Sequence, residues 1–425
     1  MQNALKISIL LFLAVFSSKS FAQSITGHSP ISRFGLGSSW GYGLSRNESM
    51  GGCGLATPSQ DHVNLINPAL MPFTEKVNLE ADIRYLYRDV KVGESYTYGN
   101  GGGGPSQFSV SIPISNRLTT AFGIRPYSNR DFIFSQIRKL GGDSIQYASR
   151  GSGGTSQAFL SGGYLINSYI SVGLETGFVF GTLEDSVKFG TLPISGNFTF
   201  ITLNKRKVSQ FTFKPGINVR YPLNLKTQTY LSFGATADLS QNFGYRNYQT
   251  FVVKGAGEAA EVLDNGSKGT LKKPTAYSFG LALYRSLAWS INGEYDFWNA
   301  SGIANNESGI AYRQGYGIRL GGEYSPGTKK STRYFNIITF RGGLGYSELP
   351  FTVDGKSITD QYASVGASFP IIRKEAKFSR PLLNLAVAYG KTGNQNSTAG
   401  SETYWRVTFG ITLNDFLWFS RYKID

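Results

Sequence analysis

The chain has 425 residues, with 42 Lys and Arg against 27 Asp and Glu, a net charge of +15. It carries 52 Gly, 25 Tyr and 30 Phe, yet only 16% charged residues, where about 25% is usual. The single cysteine excludes an internal disulfide framework, and one cysteine with two histidines leaves little material for a zinc site.

Residues 1–22 read as an export signal, with Lys6 in the positive region, Ile7–Phe16 as the apolar core and "SFA" before Gln23 as the cleavage site. The apolar run is too short to cross a bilayer as a helix, and no other stretch approaches the 18 apolar residues a spanning helix needs. For an exported chain we expect no nucleic acid as the target of the positive charge. Anionic lipid headgroups, lipopolysaccharide or acidic protein partners fit it better.

Residues 50–72, "MGGCGLATPSQDHVNLINPALMP", hold Cys53 and His62 among glycines. The stretch lacks the Gly-Lys-Ser/Thr ending of a phosphate loop and the strand–loop–helix context around it. His62 follows Asp61, but adjacent residues point apart, and no G-x-S-x-G nucleophile signature stands out. We therefore expect no enzyme, no cofactor and no metal. Small residues at Gly51, Gly52, Gly54 and Ala56 suit close backbone packing, and Asn67-Pro68 suits a turn before Ala69.

From Lys76 onward apolar and polar residues alternate. In Thr403–Asn414, Trp405, Val407, Phe409, Ile411 and Leu413 share one face, while Tyr404, Arg406, Thr408 and Thr412 share the other. Such runs predict 14 strands, near residues 76–92, 105–115, 117–131, 155–167, 169–183, 207–221, 226–239, 271–285, 287–299, 310–325, 333–347, 361–373, 379–392 and 402–415. Connections such as "SNR", "INSY" and "RSL" are short. Others, including Gly93–Pro105 and 240–270, read as long loops. An even strand number with short turns at one end and long loops at the other predicts an antiparallel transmembrane β-barrel. Closure leaves no unpaired sheet edge in lipid.

The inward phase carries Glu80, Asp82, Arg84, Arg125, Glu175, Arg220, Glu294, Asp296, Arg319, Glu323, Arg341 and Arg406. Mixed signs around a wall predict pairing with each other or with a plug, or a charged channel. Pro126 falls inside the third strand, where it removes a ladder hydrogen bond and points to a bulge, a kink or the strand's outer end. Lys329, Lys330 and Arg333, with Arg373, Lys374, Lys377 and Arg380, form basic turns that would dock a partner or stay solvated.

With "SRFGLGSSW" (Ser32–Trp40), the 50–71 segment and the closing "ITLNDFLWFSRYKID" (Ile411–Asp425), the chain resembles the FadL-type outer-membrane proteins, in the branch common in Bacteroidota. The resemblance implies a 14-stranded barrel over 76–416, a hatch over 23–75 folded inside it and a periplasmic tail over 417–425. The hatch would rest on Gly51, Gly52, Gly54, Ala56, Asn67, Pro68 and Ala69, and Pro126 would mark a sideways opening at a kinked third strand. The function so implied is passive uptake of hydrophobic molecules such as long-chain fatty acids. The alternative, from PorV-like and other FadL-like relatives, is an accessory subunit of a type IX secretion or barrel-assembly machine.

Overall fold

A computed structural model describes residues 28–41, 44–92, 96–140, 143–192, 199–254, 258–303, 309–327, 333–371 and 381–415. The expected export signal and C-terminal tail lie outside these residues, as do Lys329, Lys330, Arg373, Lys374, Lys377 and Arg380.

The protein is all-β, a closed antiparallel barrel of 14 strands. They are β1 (Val77–Val92), β2 (Tyr96–Pro113), β3 (Leu118–Asn129 with Phe132–Leu140), β4 (Asp143–Leu165), β5 (Ile170–Leu192), β6 (Thr199–Asn224) and β7 (Thr229–Asp238 with Asn242–Lys254). Then follow β8 (Glu258–Lys272 with Thr275–Arg285), β9 (Trp289–Asn299), β10 (Ile310–Tyr312 with Gly315–Tyr324), β11 (Thr339–Val353), β12 (Lys356–Pro370), β13 (Leu382–Gly393) and β14 (Ser401–Asp415). β14 pairs back onto β1, with Trp405 opposite Tyr87 and Asn414 opposite Asn78, which closes the wall.

The alternation in the sequence becomes the two faces of this wall. On β1, Ile83, Tyr85 and Tyr87 are exposed outward, whereas Glu80, Asp82, Arg84 and Arg88 are buried inward. Trp405, Phe409 and Ile411 of β14 likewise point out, and Tyr389 packs on Trp405 with ring centroids 4.6 Å apart. Aromatics at this level suit the interface girdle of a lipid-facing band.

Two stretches read as loops are strands. Within the first, residues 96–105 contribute the upper half of β2, and within the second, Asn242–Lys254 and Glu258–Lys272 contribute the outer halves of β7 and β8. Glycine has little strand propensity of its own. Here the run is held by pairing with β1, whose Tyr85 and Tyr87 rings lie so close that a Cβ on Gly99, Gly101 or Gly103 would meet them within 2.4–3.1 Å. Covering a strand glycine with a neighbour's aromatic ring restores the missing side-chain contact. The wall is also taller on one side, since β4 and β5 each run 23 residues and β6 runs 26, against 11 for β9.

Pairing between β2 and β3 covers only Phe108–Pro113 against Thr119–Ile124. Above Phe108, β2 pairs with β1 alone, and β3 from Arg125 onward pairs with β4 on its other side. A register shift between Pro126 and Ser128 marks the bulge where the two strands part. The wall therefore has a side slit.

Leu281, on the lipid face of β8, is 54% exposed. Leu281→Arg should cost about 2–4 kcal/mol near mid-bilayer depth, read from denaturant unfolding in lipid vesicles. Ser286→Arg, in a short turn, should stay within about 0.5 kcal/mol.

Candidate functional site in the barrel lumen

Residues 28–41 and 44–76 lie in the interior and touch inward side chains from strands all around the wall. Ser45–Glu48 forms one helical turn and Pro68–Phe73 a 3-10 turn capped by Asn67, whose side chain accepts from Ala69 N at 3.0 Å. Apart from a 3-10 turn at Pro30–Arg33 and a two-residue strand at Ser38–Ser39, the rest of the described segment is irregular, so its backbone polar groups need partners other than a ladder. The wall supplies them.

Glu294 Oε1 accepts the amides of Gly54 and Leu55, both at 2.6 Å, and its other oxygen lies 3.1 Å from Arg319. Arg319 also pairs with Asp296 at 2.9 Å and donates to Gly52 O. Asp82 accepts Ser45 N at 2.7 Å, and Glu80 accepts Val63 N at 2.9 Å with His62 Nδ1 at 3.3 Å. Glu48 of the segment pairs with Arg84, receives Thr408 Oγ1 and lies 3.8 Å from Arg406. Arg46 reaches Glu323 at 3.0 Å, which Arg341 holds from the other side at 3.1 Å. Arg125 and Lys214 flank Glu175 at 2.5 and 3.5 Å, and Lys214 donates to Leu65 O at 2.8 Å. Eleven of the twelve inward charges are thus bound to the segment or to an opposite charge. The twelfth, Arg220, has no carboxylate within 4.0 Å among the described residues and lies over the Phe73 ring at 4.3 Å.

Shape matters as much as charge. Inward glycines meet directly across neighbouring strands, Gly163 with Gly173, Gly173 with Gly216, Gly234 with Gly280, and Gly321 with Gly343. At each, the segment occupies the space a side chain would fill. A Cβ on Gly173 would stand 2.4 Å from Pro68 C, on Gly234 1.9 Å from Leu55 O, and on Gly343 2.3 Å from Met50 C. Strand glycine often marks such close approach of another backbone.

The small residues of the segment answer in kind. Gly51 and Gly52 adopt left-handed φ of 65° and 78°, which glycine allows without strain. Gly54 packs on Asn47, Ala56 on Ala282, and Ala69 is fully buried. Asn67 also donates to Leu55 O at 2.8 Å and to Ile217 O at 3.0 Å. Cys53 is buried against Gly321, and burial pushes its thiol well up from the ordinary range.

The start of the segment lines the slit. Ser38–Ser39 pairs with Asn129 and Ser128 of β3 as a short added strand, and Trp40 N donates to Tyr127 O at 3.2 Å. On the β2 side, Trp40 Nε1 donates to Ser106 Oγ at 3.2 Å and Asn100 Nδ2 to His28 O at 3.2 Å. Asp131, at the break in β3, has its main chain taken by Ser29 N and Ser32 Oγ, both at 2.7 Å. An apolar cluster of Leu44, Val63, Leu65, Met71, Ala121 and Phe159 stands inside β3 and β4.

Sequence reasoning missed Arg46 and Glu48, whose only signal is a charged "SRNES" immediately before the glycines. It also missed the wall glycines, which stand in the inward phase beside the charges it did find.

Two variants separate charge from shape. Glu294→Ala leaves Arg319 and two amides with lost partners and should cost about 3–5 kcal/mol. Gly343→Val should push Met50 and Gly51 off the wall. In both, Cys53 should become reactive to maleimide while the unheated protein keeps the fast gel mobility of a closed barrel. A Cys53 that stays unreactive in both would disprove the locking role.

The fold has solved counterparts. It is similar to a toluene transporter of Pseudomonas putida, TodX, with TM-score 0.58 and 15% identity, covering 90% of this chain and all of that one. It is also similar to a Pseudomonas aeruginosa FadL homologue, TM-score 0.56 and 12% identity, covering 93% and 100%. The monoaromatic hydrocarbon channel CymD gives TM-score 0.54 at 13% identity over 92% and 97%. At these identities the likeness is one of fold, the FadL-like outer-membrane barrel. No curated protein sequence matches. The BamG family profile, however, matches residues 4–425, and the chain is a member of the BamG family.

Proposed function

We propose that this barrel is a non-enzymatic, closed subunit that engages partners within an outer-membrane machine, as some FadL-like barrels do. The observation that carries the reading is the lumen, where buried carboxylates and guanidiniums are consumed in holding residues 44–72 against the wall. Breaking one member of a buried pair is strongly destabilising, so this segment is held too firmly to act as a loose flap. An axial route lined by so many charges also suits greasy cargo badly.

A second reading follows from the side slit. Hydrophobic small molecules would pass from the apolar cluster beneath it into lipid once residues 28–40 move. The neighbours named a toluene transporter and a hydrocarbon channel make that chemistry the natural one to test.

In mild detergent, tagged protein should retain other outer-membrane proteins in fixed ratio, and in planar bilayers it should carry no steady current. Recovery of free barrel alone, or an open-channel current from the unmodified protein, would overturn the subunit reading. For the slit, uptake of toluene or oleate into cells should fall on deletion. Unchanged uptake of both would remove it.

A further inference from the structure

Arg220 stands apart from the other inward arginines. Arg84, Arg125, Arg319, Arg341 and Arg406 each lie within 4.0 Å of a carboxylate, whereas Arg220 has none among the described residues. Its guanidinium lies over the Phe73 ring at 4.3 Å and the Tyr230 ring at 5.2 Å. Tyr230 in turn stacks on Tyr284 with centroids 5.4 Å apart. The guanidinium Nε donates to Ser168 O at 2.8 Å, which fixes the plane of the group and turns its Nη edge toward Tyr284.

Beside it the hydroxyl of Tyr284 is buried, with the residue 4% exposed, and its polar neighbour among the described residues is the Arg220 guanidinium itself, at less than ideal hydrogen-bond geometry. A guanidinium can only donate, so the hydroxyl's own proton still lacks an acceptor among the described residues, and at the wall of a cavity that calls for a ligand. Arg220 and Tyr284 both line a cavity of about 730 Å³ at the end of the barrel where the short turns lie, which is the periplasmic end in this class. That volume is within the range of ligand clefts and far exceeds a single small ion.

We propose that this vestibule binds a periplasmic polypeptide through a carboxylate seated end-on against Arg220, with Tyr284 donating to the same group. A planar guanidinium already stacked on aromatic rings loses little freedom on pairing, and its Nη pair matches the two oxygens of a carboxylate. Glu75, Asp61 and Glu323 also line the cavity, so a doubly charged phosphate meets more repulsion there than a single carboxylate does. Of the other cations lining the vestibule, Arg46 and Arg341 are engaged by Glu323, while Arg285 is exposed at the end of β8, where the turn begins.

This site deepens the partner-binding reading by giving the chemistry of one contact, and its test is a direct binding measurement independent of any co-purification. The probes are a rhodamine-labelled alanine-proline pentapeptide ending in a free carboxylate, the same peptide amidated, and inorganic phosphate. Anisotropy is read on the full chain in detergent micelles. The free acid should bind at least tenfold more tightly than the amide. Arg220→Gln and Arg220→Lys should each lose about tenfold, the scale of a charge-assisted hydrogen bond, and Tyr284→Phe about threefold. Unheated gel mobility confirms that each variant is a closed barrel, and Tyr284→Phe keeps the ring stack if Arg220→Gln does not fold. Equal binding of acid and amide, or wild-type affinity in Arg220→Lys and Tyr284→Phe together, would sink the proposal. Arg220-dependent displacement of the peptide by equimolar phosphate would reassign the site to a free anion.

Discussion

A barrel of fourteen strands is too wide for its own side chains to fill. Eight strands enclose just enough room for side chains to meet, and sixteen or more leave a water channel. This chain lies between those limits, and its interior is occupied by its own N-terminal residues. The demands on the inner wall follow from that. Where the segment's backbone comes close, the wall carries glycine, and where the segment's amides and carbonyls would be orphaned, the wall carries charge.

The two devices are complementary. Glycines such as Gly173, Gly234 and Gly343 remove the Cβ atoms that would collide with Pro68, Leu55 and Met50. Carboxylates such as Glu294 and Asp82 take the amides of an irregular chain that no ladder serves. Each carboxylate needs a cation or further donors in a dry setting, which explains why Arg319 lies beside Glu294 and Arg84 beside Glu48. The outer wall has no such bookkeeping. Its Ile83, Phe409 and Leu281 meet lipid and need only be apolar.

Much of this was legible in the sequence, because lipid outside and polar contacts inside force a period of two. All fourteen strands and the inward phase of Glu80, Asp82 and Arg84 follow from that alternation. The upper half of β2 was not legible, since Gly99–Gly104 form a strand only through pairing with Tyr85 and Tyr87. The bulge at Pro126 could be placed on the third strand, but its consequence, the parting of β2 and β3, depends on a neighbour. The partners of the inner segment were hidden for a simpler reason. Gly54 and Glu294 are 240 residues apart, and no local pattern joins them.

The distances along the chain have a consequence for how the molecule is made. The inner segment comes near the start of the chain, yet Glu48 is bonded to Thr408, His62 to Thr412 and Ser29 to Glu402, all on the final strand. Contacts with separations of 350 residues or more form late and slowly. Glu48 and His62 have early partners in Arg84 and Glu80 on β1, but their set of contacts is complete only when the last strand arrives. Barrel closure and filling of the lumen become one cooperative event, and a chain cut short before β14 loses both together.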